Sequence, residues 1–392
     1  MEDNINLPRR YKGTKEISFI ILFSLCLSVL VASSQSRDEL INKGIDYVYK
    51  LKFDSSNAVF QSIINQNPKD PTGHFLIAMQ EWWRINLNRD DESNDERYFK
   101  QVDKVLELCD ERIDQNENDE WVLFLKGGTL GYRGFLNSLR ESWLKAADDG
   151  REGLSLIQRS YELNPNNKDA VFGIGLYNYA ADYVFESYPF LKTLMFFFPK
   201  GNKELGLSQL RDCAENAKFS KTEASFVLAF INLVYEKNYF ESEKYSDKLF
   251  KQYPENPVFE KYLGRSYAGL GKWSESINIW KDILSKIDSN KFGYNKTHLK
   301  RETLYYLGVS YMRTFNYDES LNYYSQAYLM SLELDKDKVS PFQVFSALGI
   351  GMINDVKGNR TEALRYYDKV LEMRDVENSH ETAKKFKENP YK

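Results

Sequence analysis

Histidines, cysteines and paired carboxylates are where chemistry would start in this chain. His74, His298 and His380 are widely separated, and no His-Glu-x-x-His pair sets two imidazoles on one helix face for a zinc ion. The sequence also has no Gly-x-Ser-x-Gly elbow to expose a nucleophile and no Walker-type loop to cradle phosphate. Gly127-Gly128 and Gly173-Ile174-Gly175 look like pieces of nucleotide motifs, but both fall in segments of helical periodicity, where glycine permits close packing. Neighbouring carboxylates such as Asp110-Glu111 read as solvated helix faces. The expectation is therefore no catalytic residue, no cofactor and no metal, and a chain that is not an enzyme. Cys109 and Cys213 lie in predicted helices far apart in the sequence, so buried free thiols are expected rather than a disulfide.

The composition fits a folded, interacting body. Lys and Arg number 53 against 57 Asp and Glu, for a net charge of −4 over 392 residues, so no basic surplus exists to meet a phosphate backbone. Nucleic acid is not an expected partner. With 42% hydrophobic and 28% charged residues, the chain has both a core and a solvated surface. Its length exceeds what one compact core usually organises, which favours two domains or an array growing by addition.

Residues 1–34 stand apart. Arg9, Arg10, Lys12 and Lys15 precede an apolar run from Ile17 to Val31, and Ala32, Ser33 and Ser34 offer small residues to a signal peptidase. The segment reads as a secretory signal peptide, with mature protein starting near Gln35. The alternative is an uncleaved inner-membrane anchor over residues 17–33, which barely spans a bilayer. Either way the body is expected to be exported, in the periplasm or cell envelope. Cys26 follows bulky Leu25, a poor site for lipoprotein processing.

Self-similarity decides the fold. From Pro257, the residues Leu263, Gly264, Tyr267, Gly271, Trp273, Ser276, Trp280 and Ile283 recur at fixed offsets, and the matching frame from Glu223 starts 34 residues earlier. Frames from Arg37, Arg301 and Val344 repeat it, with Gly44, Gly308 and Gly351 at the crossing position and Ser56, Ser320 and Ala363 facing them. Tyr267, Tyr311, Trp280 and Tyr324 are expected as packing knobs. Asn67-Pro68, Asn164-Pro165 and Pro254 end second helices, because proline cannot continue one. In these residues the chain resembles the tetratricopeptide repeat family, exported bacterial type. The resemblance implies an all-α, right-handed superhelical solenoid of antiparallel helix pairs. About eight units are expected, over 37–70, 71–118, 119–167, 168–222, 223–256, 257–290, 301–342 and 344–377, with a capping helix at 379–389 and insertions in the middle units.

The middle units are stretched by a polar run, Asn88 to Glu96, and by an insertion over residues 182–200. Gly173 to Leu210, with Gly-x-Gly, Tyr-Pro and a phenylalanine run, is similar to a stretch of the eukaryotic tetratricopeptide family linked to inclusion-body clearance; no functional residue carries over. The insertion's Phe190, Leu191, Leu194, Phe196, Phe197 and Phe198 are too apolar to face water. They are expected to pack back on the adjacent first helices, the alternative being a lipid or partner contact at the membrane surface. Trp273 and Trp280 are assigned to repeat packing, Trp82, Trp83, Trp121 and Trp143 to the core, and His74 to a structural position.

A solenoid of this family presents a concave face lined by first helices, where peptides bind. Lys261, Arg265, Tyr305, Met312 and Arg313 are the inward-facing set and could hold an acidic protein or peptide; ordinary solvated groove residues are the competing reading. The family's lysine-and-asparagine clamp for a partner's terminal carboxylate is not reproduced, since Arg265 follows Lys261 where asparagine is wanted. The functional expectation is a protein-binding scaffold of the cell envelope, with a membrane-associated protein as the alternative.

Overall fold

The computed structural model describes residues 36–187, 199–336 and 338–392. The expected signal segment 1–34 lies outside the described residues, as do Phe190, Leu191, Leu194, Phe196, Phe197 and Phe198 of the insertion. The described residues form 17 α-helices, one short 3-10 turn and no strand. They run as eight pairs: α1 (Arg37–Tyr49) with α2 (Phe53–Gln66), α3 (Thr72–Asn86) with α4 (Asp95–Gln115), α5 (Glu120–Leu139) with α6 (Trp143–Leu163), and α7 (Lys168–Ser187) with α8 (Lys203–Asn216). There follow α9 (Lys221–Val234) with α10 (Tyr239–Gln252), α11 (Pro257–Gly269) with α12 (Trp273–Asp288), α13 (Thr297–Arg313) with α14 (Tyr317–Leu334), and α15 (Pro341–Val356) with α16 (Arg360–Glu372); α17 (Ser379–Glu388) closes the array. Each helix packs on its chain neighbours, and first helices of adjacent units also touch, as α1 with α3 and α13 with α15.

Local signals set the ends. Ser36 and Glu39 form a reciprocal capping box that starts α1. Asn256 and Ser340 cap helices whose first residue is proline, where the missing N–H costs nothing. Asn67 and Asn164 cap the C-termini of α2 and α6, with a proline next in the chain. Inside most pairs the turn needs one left-handed residue. Gly271 and Gly358 supply it without strain at φ 71° and 76°, whereas Leu51, Glu141, Lys237 and Phe315 adopt it despite their side chains.

In six of the eight pairs the crossing depends on a glycine, and in the later regular units that glycine meets a large ring as well as the small residue expected to face it. A Cβ on Gly264 would lie 2.8 Å from Trp280 Cε2, and one on Gly308 would lie 2.7 Å from Tyr324 Cδ1. The small residues face the glycines as expected and also bond to them: the Ser320 hydroxyl donates to the Gly308 carbonyl at 2.7 Å. In the stretched third and fourth units, glycine meets glycine across the pair, Gly127 against Gly153 and Gly175 against Gly206. Backbone there touches backbone, which accounts for glycines in the helices that looked like nucleotide motifs. Trp280 and Tyr324 are buried knobs as expected, while Tyr267 and Tyr311 are only half-buried.

The array does not stay open. Tyr49, at the end of α1, packs on Tyr253 at 5.3 Å and on Phe259 of α11 at 6.1 Å between ring centroids. Trp83 of α3 meets Phe226 of α9 at 5.2 Å and Phe259 at 5.4 Å. The Asn256 side chain donates to the Tyr49 carbonyl at 2.9 Å, and Lys218 pairs with Asp38 on the outside of the same seam. Further round, Phe292 rests edge-on against Phe53 at 6.0 Å, and Lys338 reaches Glu141 at 3.4 Å. The superhelix thus winds tightly enough for the fifth and sixth units to meet the first and second.

Candidate binding surface

In an open solenoid the first helices line a solvent-filled groove. Here the corresponding residues of the first unit, Ile41, Ile45, Val48 and Tyr49, are apolar and at most 7% exposed. With Trp82, Trp83, Phe226, Phe259 and Tyr262 they form one core that crosses the superhelix axis. Over the early units the concave face is therefore occupied by the chain itself. The physical reason is that an aromatic-rich inner face gains more by meeting another such face than by staying wet.

Glu223 sits within that core. Its carboxylate accepts from the Tyr49 hydroxyl at 3.0 Å and from the Trp83 indole N–H at 3.1 Å. Burial pushes its pKa up to about 7, although bonds from Tyr49, Trp83 and Tyr132 work in the opposite direction. A second buried acid, Glu260, takes Lys286 at 2.9 Å and the Tyr294 hydroxyl at 2.5 Å, and burial pushes it to about 7 as well. Arg301 and Asp335, both nearly fully buried, bridge at 2.5 Å. Each of these groups is spent joining helices. Sequence reasoning passed over all of them; the available signal was a glutamate beside tyrosines and tryptophans at groove-lining positions.

The predicted inward set is not one site. Lys261 and Arg265, successive turns of α11, both face Glu302 of α13, at 3.4 Å and 3.8 Å. Glu302 is 7% exposed, and Arg265 lies over the rings of Tyr262 and Tyr306 at 5.9 Å and 6.0 Å. Tyr305 packs against Phe342 at 5.3 Å and Tyr324 at 5.9 Å. Met312 is buried in the core of the last two units and is withdrawn as a groove residue. Arg313 is exposed, over Trp273 at 5.9 Å, and stands about 16 Å along α13 from Glu302 at 1.5 Å per residue. What the structure brings together is Lys261, Arg265, Glu302 and Tyr306, two cations sharing one carboxylate beside a tyrosine.

Other assignments divide. Trp82, Trp83 and Trp280 are core, but Trp143 is 42% exposed at the start of α6 and Trp273 is half-buried, because each opens a second helix at the rim of its pair. His74 is half-buried and its pKa is lowered by that burial. Cys109 and Cys213 are free, buried thiols, both pushed up to about 12 by burial. Among the described residues no cluster of metal-ligating side chains is present, and no helix is long and apolar enough to cross a membrane.

Among solved structures the chain is similar to the APC/C hetero-tetramer Cut9-Hcn1, at 13% identity over 95% of this chain and 60% of that one, with a TM-score of 0.55. The fold is that of a tetratricopeptide solenoid. Eight antiparallel pairs in sequence, a 34-residue frame and a glycine crossing agree with that likeness, which speaks to fold alone. The chain spans 60% of the length of the Cut9-Hcn1 chain that it matches. It is also similar to yeast Tom70, at 12% identity over 95% of this chain and 85% of that one, with a TM-score of 0.38. Human IFIT1, solved as a dimer with PPP-AAAA, matches at 12% identity over 91% of this chain and 78% of that one, with a TM-score of 0.33. Superpositions that loose carry no argument. No family model matches the chain, and neither does any curated protein.

Proposed function

We propose that this solenoid is a non-catalytic scaffold of the cell envelope that binds a partner protein or peptide on the inner face of its last three units. The observation that carries the reading is where the polar inner residues remain. Early inner faces are consumed by the closed core, whereas α11 presents Lys261 and Arg265 beside α13 with side chains 26% and 30% exposed. Two cations around Glu302 leave one positive charge unbalanced, which suits an acidic segment. Half-buried Tyr306, held by its ring stack on buried Trp280 at 4.8 Å, gives that segment a rigid wall. Export follows from the leader's basic and apolar pattern, and an intact mass starting near Gln35 is the expected result; retention of residues 1–34 would favour the anchor.

The test is crosslinking in native cells followed by recovery of bound protein, comparing wild type with the double variant Lys261→Gln, Arg265→Gln. Charge reversal is unsuitable, since it would set three carboxylates together around buried Glu302. Loss of a specific crosslinked partner with unchanged circular dichroism supports the surface; full recovery would move the site elsewhere.

A second reading has its own observation. Leu144, Leu205 and Phe240 are 75%, 48% and 68% exposed, all at the starts of second helices, on the rim from which the chain enters residues 188–198. That rim fits a membrane-surface contact. Deleting residues 188–199 distinguishes the two: lost recovery with liposomes at unchanged melting supports lipid contact, and lowered melting supports internal packing.

A further inference from the structure

A carboxyl group in the middle of an aromatic core needs a reason. Glu223 is 5% exposed, at the start of α9, and the groups that meet it come from three other units: Tyr49 of α1, Trp83 of α3 and Tyr132 of α5. Behind them lie Tyr253, which packs on Tyr49, and Tyr98, which acts on Tyr132. All contribute donors or rings, and among the described residues no cation pairs with the carboxyl. Arg89 acts on it from a distance, with its guanidinium held by the Asn86 side-chain oxygen at 2.9 Å and 2.6 Å. The three donors favour the carboxylate, but burial without a paired cation outweighs them and makes the charged form the costly one.

The same residue sits at a seam with two sides that can part. Among the described residues, contacts between the first three units and the fifth and sixth are made chiefly by side chains, with no extensive helix-on-helix packing across the seam. A cleft of about 270 Å³ already runs along the seam between α1 and α9–α10, lined by Asn42, Ile45, Ser225, Lys248 and Gln252. The cleft is also lined by Thr222, next to Glu223 in the chain, and by Tyr253, which packs on Tyr49.

We propose that Glu223 is a proton-controlled latch: protonated, it ties the first three units to the fifth; ionised, it loosens that seam and frees the inner faces of α1 and α3. The sign follows from the two states. In the closed array the carboxyl titrates near 7, against 4.5 when solvated, so the neutral form is favoured by closure. Below 4.5 the latch is fully engaged. Between 4.5 and 7 each pH unit weakens closure by up to about tenfold, reaching about 300-fold above 7. The latch works in the same way whichever partner the scaffold holds, and its test uses no partner.

The measurement is thiol labelling of Ser225→Cys in the full chain, with Glu223 intact or replaced by Glu223→Gln. Ser225 is 1% exposed and lines the seam, so its thiol reacts only when the seam opens. Dividing the two rates cancels the thiol's own pH dependence. The expected ratio is constant below pH 4.5 and rises steeply toward about pH 8, while Cys109, buried away from the seam, labels at equal rates in both proteins. A ratio that stays flat from about pH 4 to 9 overturns the proposal, and so does Cys109 reacting in step with the seam thiol, which would mean general unfolding. If Ser225→Cys does not fold, amide exchange of α1, again as the ratio of Glu223 to Glu223→Gln, separates the same two outcomes.

Discussion

Gly206→Ala and Gly150→Ala are the same substitution in the same helical conformation, and the structure predicts opposite signs. A Cβ on Gly206 of α8 would stand 2.6 Å from the Tyr179 backbone nitrogen and 2.7 Å from the Gly175 carbonyl oxygen. Both are main-chain atoms of α7, so no side chain can swing away. The helices must part by about 0.8 Å to reach ordinary contact, and overpacking of that kind costs about 1–3 kcal/mol. Replacing glycine inside a helix returns roughly 0.5–1 kcal/mol of backbone entropy, which leaves Gly206→Ala a net loss of about 1–2 kcal/mol. Gly150, inside α6, has nothing within 4 Å of the place a Cβ would occupy, so Gly150→Ala keeps the whole entropic gain of roughly 0.5–1 kcal/mol. Urea unfolding followed by far-ultraviolet circular dichroism reads both. Midpoints moving down for Gly206→Ala and up for Gly150→Ala are expected. Two shifts of the same sign would mean that the backbone contact between α7 and α8 does not exist as described.

Gly264→Leu should destabilise the array by about 1–3 kcal/mol or more, because Trp280 is pinned against Tyr306, whereas Lys261→Ala should cost under about 1 kcal/mol; equal melting temperatures would refute the crossing. For Glu223, a folded pKa of about 7 against 4.5 unfolded means that its contribution is complete below pH 4.5 and is lost as pH rises through 7, a change of about 3 kcal/mol. Glu260, also near 7, acts in the same direction, so Glu223→Gln should reduce, not abolish, the fall in stability between about pH 5 and 8 measured by urea titration. Phe315→Gly should raise the melting temperature by about 1–2 °C, since Phe315 holds φ 61° with its side chain 77% exposed; no change would show that the turn bears no strain.

Much of the architecture was readable in advance because repeat folds write short-range rules into the chain. The 34-residue period, the crossing glycines and the Asn-Pro stops are local: each needs only its own pair of helices, so sequence spacing alone identifies it. The sulfhydryl states of Cys109 and Cys213 and the helical setting of Gly127 and Gly175 followed in the same way. Trp143 was misplaced because a tryptophan opening a helix looks, by period alone, like one in its middle.

Closure of the superhelix belongs to another class of fact. It depends on small rotations accumulating over five units until Tyr49 meets Phe259, far later in the chain. No local pattern encodes such a sum. Ile41, Ile45 and Trp83 announced only that their face must be covered, not by what, since burial of apolar surface is non-directional. Tertiary structure decided the rest: it brought Glu302 between Lys261 and Arg265, removed Met312 from the groove, and set Glu223 among donors from three other units, where distance from water rather than residue type governs its charge.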